Sequence, residues 1–219
     1  MTLFKFFSMC GILTGLVGTS WAGNLQVNVI DKDGKPVPDA VVVLQPSQAS
    51  SPKTPLATQA TINQEKMRFV PALTLVSAGA KVRFLNSDPW EHHVRTSAAG
   101  AAQFFATASD GSSLMIDGKT DGKPAKSADA VFDKPGAVML GCHFHASMRG
   151  HIYVSDSPWA AITNADGVAQ FDAAPDGAAQ VRVWQADQLI DIPAQRITLS
   201  AAPAKTTLQL SVVPRRRRS

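Results

Sequence analysis

The chain has 219 residues, 45% of them hydrophobic and 17% charged, with a formal net charge of +4. That length and apolar content support a core in one large or two small domains and exclude a charge-rich disordered chain. Much of the positive charge sits in Arg215 to Arg218. Such a terminal run reads as a solvated tail, with room for weak attraction to a membrane surface or partner, and not as a nucleic-acid footprint.

The first residues form a cationic head, Met1 to Lys5, followed by an apolar run from Phe6 to Val17 and the small-residue segment Gly18-Thr19-Ser20-Trp21-Ala22. A cut after Ala22 would have small residues at its −3 and −1 positions, so residues 1–22 are predicted to be a secretory signal peptide. The apolar run is short for a membrane span, although an uncleaved anchor is the alternative. Cys10 has no lipobox around it. Cleavage removes Lys5, the one charge in the segment, so the formal charge falls from +4 to +3. It also removes Cys10 and leaves Cys142 alone. The expected location is the periplasm, without a membrane anchor after cleavage. Exported proteins use cysteines in pairs, so a lone thiol there is a dimer link, a liability or a metal ligand.

Beyond Ala22 no segment has a convincing helical period. Short β-branched runs punctuated by Asp-Gly and Pro-Gly pairs predict an all-β sandwich or barrel. Leu25 to Ile30 alternates apolar and polar residues, turns at Asp33-Gly34, and returns as Ala40 to Leu44. Gln48 to Gln59, rich in Ser, Pro and Thr, reads as a connector. Met67 to Val76 and Lys81 to Leu85 read as strands about a turn at Gly79. Ser97 to Ala130 reads mostly as loop, with Asp-Gly turns at 110–111, 117–118 and 121–122. Strands are then expected at Ala130 to Phe132, Ala137 to Gly141, His151 to Val154, Gln180 to Trp184, Gln195 to Leu199 and Thr206 to Val213.

All five histidines fall in two short segments, His92-His93 and His143, His145, His151. Cys142, His145 and Met148 have the spacing C-x2-H-x2-M. A thiolate, an imidazole and a thioether on one loop, joined by one imidazole from "NSDPWEHHV", offer two nitrogens, a short thiolate bond and a weak axial thioether. That donor set selects copper and describes an electron-transfer site. Zinc accepts the same thiolate and imidazoles but gains little from Met148, and a buried cysteine among packed histidines is the bland alternative. Either His92 or His93 can supply the distant imidazole. Trp90 and Phe144 either shield the metal or simply pack.

These residues and their surroundings resemble the cupredoxins, the plastocyanin-like blue copper proteins. The likeness covers about residues 59–156: Phe69 and Pro71, then Val76, Gly79, Val82, Phe84 and Asn86, then His92 and Val94, Lys134 to Gly136, the Cys142 loop, and Gly150, Ile152 and Val154. The short ligand loop is most similar to that of amicyanin. The resemblance implies a Greek-key barrel or sandwich with copper held by His92, Cys142, His145 and Met148. His93 then occupies an asparagine position and is expected beside the site, tying two loops by a hydrogen bond. His143 is expected to face away from the metal, and His151 to be exposed near it. The flanking "DKDGKPVPDAVVVL" and "TNADGVAQFDAAPDGAAQVRVW" resemble successive halves of a carboxypeptidase regulatory-like β-sandwich. The expected division is therefore 1–22 signal, 23–58 with 157–213 as that second sandwich, 59–156 as an inserted cupredoxin domain, and 214–219 as a basic tail. The whole chain resembles exported proteins labelled methylamine utilization proteins, a family label that does not establish a role in amine oxidation.

With four protein donors no position is left for a substrate, and no Ser/His/Asp set, paired acids or phosphate loop stands out. The expectation is a periplasmic one-electron carrier with a protein redox partner, and no enzyme. Copper handling without redox turnover, and a scaffold merely stabilised by metal, are the alternatives.

Overall fold

The computed structural model describes residues 22–99 and 113–215. The expected signal peptide lies outside them apart from Ala22, as do residues 216–219 of the expected tail. No helix among the described residues is long and apolar enough to cross a membrane. In chain order the strands are β1 (Ala22–Ile30) and β2 (Val41–Pro46), followed by β3 (Gln59–Glu65), β4 (Arg68–Val70), β5 (Leu73–Ser77) and β6 (Ala80–Asn86). Next come β7 (His92–Ala98), β8 (Ser113–Ile116), β9 (Lys126–Phe132), β10 (Gly136–Cys142) and β11 (Arg149–Ser155). The last five are β12 (Ala160–Ile162), β13 (Val168–Pro175), β14 (Gly177–Trp184), β15 (Gln195–Leu199) and β16 (Ala204–Gln209). The protein is all-β.

The two chain ends form one sandwich. Its sheets have the orders β13-β1-β16 and β12-β2-β14-β15. The period-2 pattern of β1 buries Leu25, Val27 and Val29. On its flanks Leu25 lies opposite Phe171 in antiparallel β13, and Val27 opposite Thr206 in parallel β16. Thr163 ties the early hairpin to the later chain: its Oγ1 accepts from Ala40 N at 2.9 Å and donates to Val37 O at 2.8 Å. Gly167 turns at a φ of +71°, where a Cβ would come within 2.6 Å of Val29 O. Only glycine fits that turn against β1.

The middle of the chain forms the other two sheets, β5-β11-β10-β7-β8 and β4-β3-β6-β9. They enclose a core that includes Ile62, Val82, Phe84, Val94, Leu140 and Ile152. Each such side chain, once fully buried, contributes about 1.5–3 kcal/mol of transfer free energy. A smaller cluster joins the sandwiches: Val41, Val43 and Trp184 pack with Leu73, Ala99 and Tyr153. β2 therefore buries both faces, Val42 and Leu44 inward and Val41 and Val43 toward the other sandwich. That accounts for its unbroken apolar run, where a strand with one wet face would alternate.

Several strand expectations need correction. The Met67 to Val76 run divides into β4 and β5 around Pro71, which cannot donate to a ladder. The hairpin that opens β4 has Lys66 and Met67 at φ of 53° and 58°, a turn that carries no Gly, Asn or Asp signal in the sequence. β3, which follows the expected connector, pairs in parallel with β6; its polar Gln-Ala-Thr-Ile-Asn-Gln-Glu composition carries no strand signal. The stretch Ser97 to Ala130, read mostly as loop, contains β8 and most of β9 among its described residues. β9 is an edge strand with few buried side chains, so its hydrophobic period is faint. The last strand ends at Gln209, not Val213.

Candidate metal centre

Three donor atoms from two separate parts of the chain converge at one end of the middle sandwich. Cys142 ends β10, His92 begins β7, and His145 lies in the loop that leads from β10 to β11. β10 and β7 are antiparallel neighbours, with Cys142 opposite Val94. The sheet register therefore brings residue 142 beside the start of β7, fifty residues earlier in sequence. The loop closes over the same point through Met148 N donating to His145 O at 2.9 Å.

The Cys142 sulfur lies 3.6 Å from His92 Nδ1 and 3.5 Å from His145 Nδ1. All three donor atoms lie within 4.8 Å of one another. A metal with bonds of about 2.0–2.1 Å to nitrogen and about 2.3 Å to sulfur, at angles between tetrahedral and trigonal, separates those ligands by about 3.6–3.8 Å. The residues fit an ion. The rings of His92 and His145 lie 5.0 Å apart with their planes 65° from parallel. His92 is fully buried, Cys142 is buried and free of any disulfide, and His145 is half-buried. Met148 is buried in the same core cluster as Cys142.

The sequence did not single out Asp88 as a site residue, yet it governs His92. Its Oδ2 accepts from His92 Nε2 at 2.8 Å. That bond selects the tautomer with the lone pair on Nδ1, the atom that faces the sulfur. The same carboxylate accepts from Lys66 N at 2.6 Å and from Met67 N at 3.0 Å, which stabilises the left-handed turn of the β3–β4 hairpin. Burial pushes the Asp88 carboxyl up, but the bonds from Met67, His92 and Lys66 outweigh it and hold the group below the ordinary carboxylate range. The only hint in the sequence is an acid four residues before the histidine.

Asn86 knits the base of the site. Its side-chain nitrogen lies 2.8 Å from Trp90 O, 3.1 Å from Ile116 O and 3.0 Å from Asp117 O. Its Oδ1 accepts from Asp88 N at 3.0 Å. The His92 loop is thereby fixed to the end of β8. At Gly118 a Cβ would come within 2.2 Å of Pro89 O, so the absence of a side chain there allows the two segments to close.

The remaining expected residues separate. The His93 side chain contacts Ser113 Oγ, and the two loops are tied instead by the backbone, His143 N donating to His93 O at 3.0 Å. His143 is exposed and packs against His93 and Phe144. His151 is not exposed beside the site. It lies half-buried in β11 and stacks edge-on against Trp184, 5.3 Å away in the other sandwich. The β-alternation of β11 sends Ile152 into the core of the middle sandwich and its neighbours 151 and 153 toward Trp184. Trp90 is exposed, and so is Phe144, which packs on the two imidazoles.

No protein-family model and no curated protein matches the chain. Among solved structures it is similar to amicyanins. A reduced amicyanin point mutant is 18% identical over 52% of this chain and 99% of its own, with a TM-score of 0.34. Amicyanin from Paracoccus versutus is 20% identical over 51% of this chain and 97% of its own, with a TM-score of 0.34. A reduced Cu(I) form of another amicyanin variant is 17% identical over 51% and 98%, with a TM-score of 0.35.

Proposed function

We propose that this protein is an exported, copper-binding one-electron carrier whose ligands are His92, Cys142, His145 and Met148. One observation carries the reading: a single thiol sulfur 3.6 and 3.5 Å from the Nδ1 atoms of two histidines in separate segments. Buried packing alone has no need of two ring nitrogens aimed at one sulfur. A thiolate with two imidazoles and a soft thioether selects copper over zinc.

Copper bound there would supply a reversible one-electron couple. The chain's contribution is rigidity. Asp88 holds the His92 ring, Asn86 holds the loop behind it, and β10 and β7 hold Cys142 and His92 in register, so the donors keep one arrangement in both oxidation states. Burial of Cys142 and Met148 excludes water from their side of the site. Of the three converging donors only His145 reaches the surface, which makes its ring edge the path toward a redox partner. We further propose that residues 59–156 are a domain inserted between 23–58 and 157–213. Loop ends that lie close together at the surface tolerate such insertions. The signal-like segment 1–22 supports a periplasmic location, and four protein donors argue for transfer without substrate catalysis.

Absorption and spin-resonance spectra of copper-loaded protein test the assignment. An intense visible thiolate-to-copper band is expected in the wild type and its loss in Cys142→Ser. A colourless copper complex of the wild type refutes it. The insertion is tested by deleting the chain after Trp159: β1 loses both β13 and β16, so its amides should exchange freely. Retained protection of β1 would sink that division.

A further inference from the structure

We propose a second, solvent-facing copper site formed by His93 and His143, on the outer side of the wall that holds the inner donors. Neither residue belongs to the converging trio, and the proposal does not depend on what the inner site binds.

The geometry repeats that of the inner pair. The rings of His93 and His143 lie 5.5 Å apart with planes at 62°, against 5.0 Å and 65° for His92 and His145. Two imidazoles sharing one ion through bonds of about 2.0–2.1 Å, at an angle near tetrahedral, place their ring centres about 5.2 Å apart. A small side-chain rotation covers the difference. The backbones are already locked together by the bond from His143 N to His93 O at 3.0 Å. Little ordering remains to be done on binding.

A hydrogen bond at Nε2 also repeats. His92 Nε2–H is held by the Asp88 carboxylate, and its Nδ1 faces the sulfur. His93 Nε2 is held by Ser113 Oγ on β8. With Nε2–H donating to that hydroxyl, Nδ1 of His93 keeps its lone pair for a metal. Alternation along β7 turns His92 into the core and His93 out, so two adjacent residues serve opposite faces of one strand. Phe144 packs on both outer rings, 5.9 Å from His93 and 5.6 Å from His143, and shields one side of the pair from water. With two protein nitrogens and water completing the shell, the site takes a divalent first-row cation, copper(II) most tightly by the ordinary ligand-affinity order. It lacks a thiolate, so a copper ion here gives a weakly coloured complex distinct from the inner one.

Copper(II) titration of the full-length protein tests this by calorimetry and spin resonance. Two equivalents are expected, one of them with the wide hyperfine splitting of a nitrogen and oxygen shell. His93→Ala and His143→Ala should each weaken that equivalent about tenfold or more, while the copper bound at Cys142 is unaffected. Cys142→Ala, should it fold, must keep the wide-splitting equivalent; if that variant does not fold, the wild-type and histidine-variant titrations decide alone. A wide-splitting equivalent as the sole one bound supports the proposal and counts against copper at Cys142 instead. No wide-splitting equivalent in the wild type, or one that both histidine substitutions leave unchanged, overturns it. The contact among His93, His143 and Phe144 is then aromatic packing and nothing more.

Discussion

Asp88→Ala tests how the fold and the metal centre are coupled through one carboxylate. The substitution removes the acceptor for three donors: Lys66 N at 2.6 Å, Met67 N at 3.0 Å and His92 Nε2 at 2.8 Å. His92 is fully buried, so its orphaned N–H cannot turn to water and costs about 1–3 kcal/mol. Lys66 and Met67 are exposed, so their amides recover solvent, and each loses only the net worth of its bond, about 1 kcal/mol. The left-handed turn at those two residues also loses its anchor. Together these place the metal-free Asp88→Ala protein about 3–5 kcal/mol below wild type. Loss of the group that orients a metal-binding imidazole should weaken copper affinity about 10–100-fold. Asp88→Asn keeps one acceptor oxygen and should fall between the two. Urea unfolding of metal-free protein and competition with a copper(I) chelator read the two effects separately. An Asp88→Ala protein within about 1 kcal/mol of wild type, with an unchanged chelator titration, would refute the assignment of Asp88 as the positioning residue.

Other expectations follow from the same geometry. Because the folded-state carboxyl of Asp88 lies below its ordinary range, its contribution to the metal-free protein is fully present above that range and is lost as pH falls through the lowered value. Acid titration of stability should therefore be flatter in Asp88→Asn, and an acid limb of unchanged steepness counts against the linkage. Gly118→Ala drives a methyl to within 2.2 Å of Pro89 O, so it should cost about 2–3 kcal/mol and loosen the His92 loop; a thermal melt equal to wild type would contradict the close approach. Met148→Leu conserves core volume and should cost less than about 1.5 kcal/mol, while voltammetry should show a higher copper potential because a weak donor is gone. An unchanged potential would remove Met148 from the ligand set. Trp184→Ala empties the contact with Tyr153 and His151, with an expected loss of about 3–5 kcal/mol; a loss under about 1 kcal/mol would mean that the two sandwiches do not support each other.

The donor residues were legible because their chemistry is rare. A cysteine, histidine and methionine at C-x2-H-x2-M, with a second histidine cluster upstream, differ from any pattern that core packing produces. β1 was legible through period 2, and β2 through its unbroken apolar run after the Asp33-Gly34 turn. β3 and β9 were not, because an edge or a polar neighbour of a buried strand needs few apolar side chains of its own. The turn at Lys66 and Met67 was invisible for a different reason: a carboxylate twenty-one and twenty-two residues away stabilises it, and no local residue signals that.

Composition, turn signals and side-chain chemistry alone determined that the chain is all-β and which atoms are fit to hold a soft metal. Tertiary structure decided which of two adjacent histidines turns inward, that Asp88 holds it, and that His151 belongs to the contact with Trp184. Those choices depend on strand register and on what lies across each face, and both are set by pairings between residues far apart in the chain. Local spacing carries the identity of a donor, but only the register of β7 against β10 carries its direction.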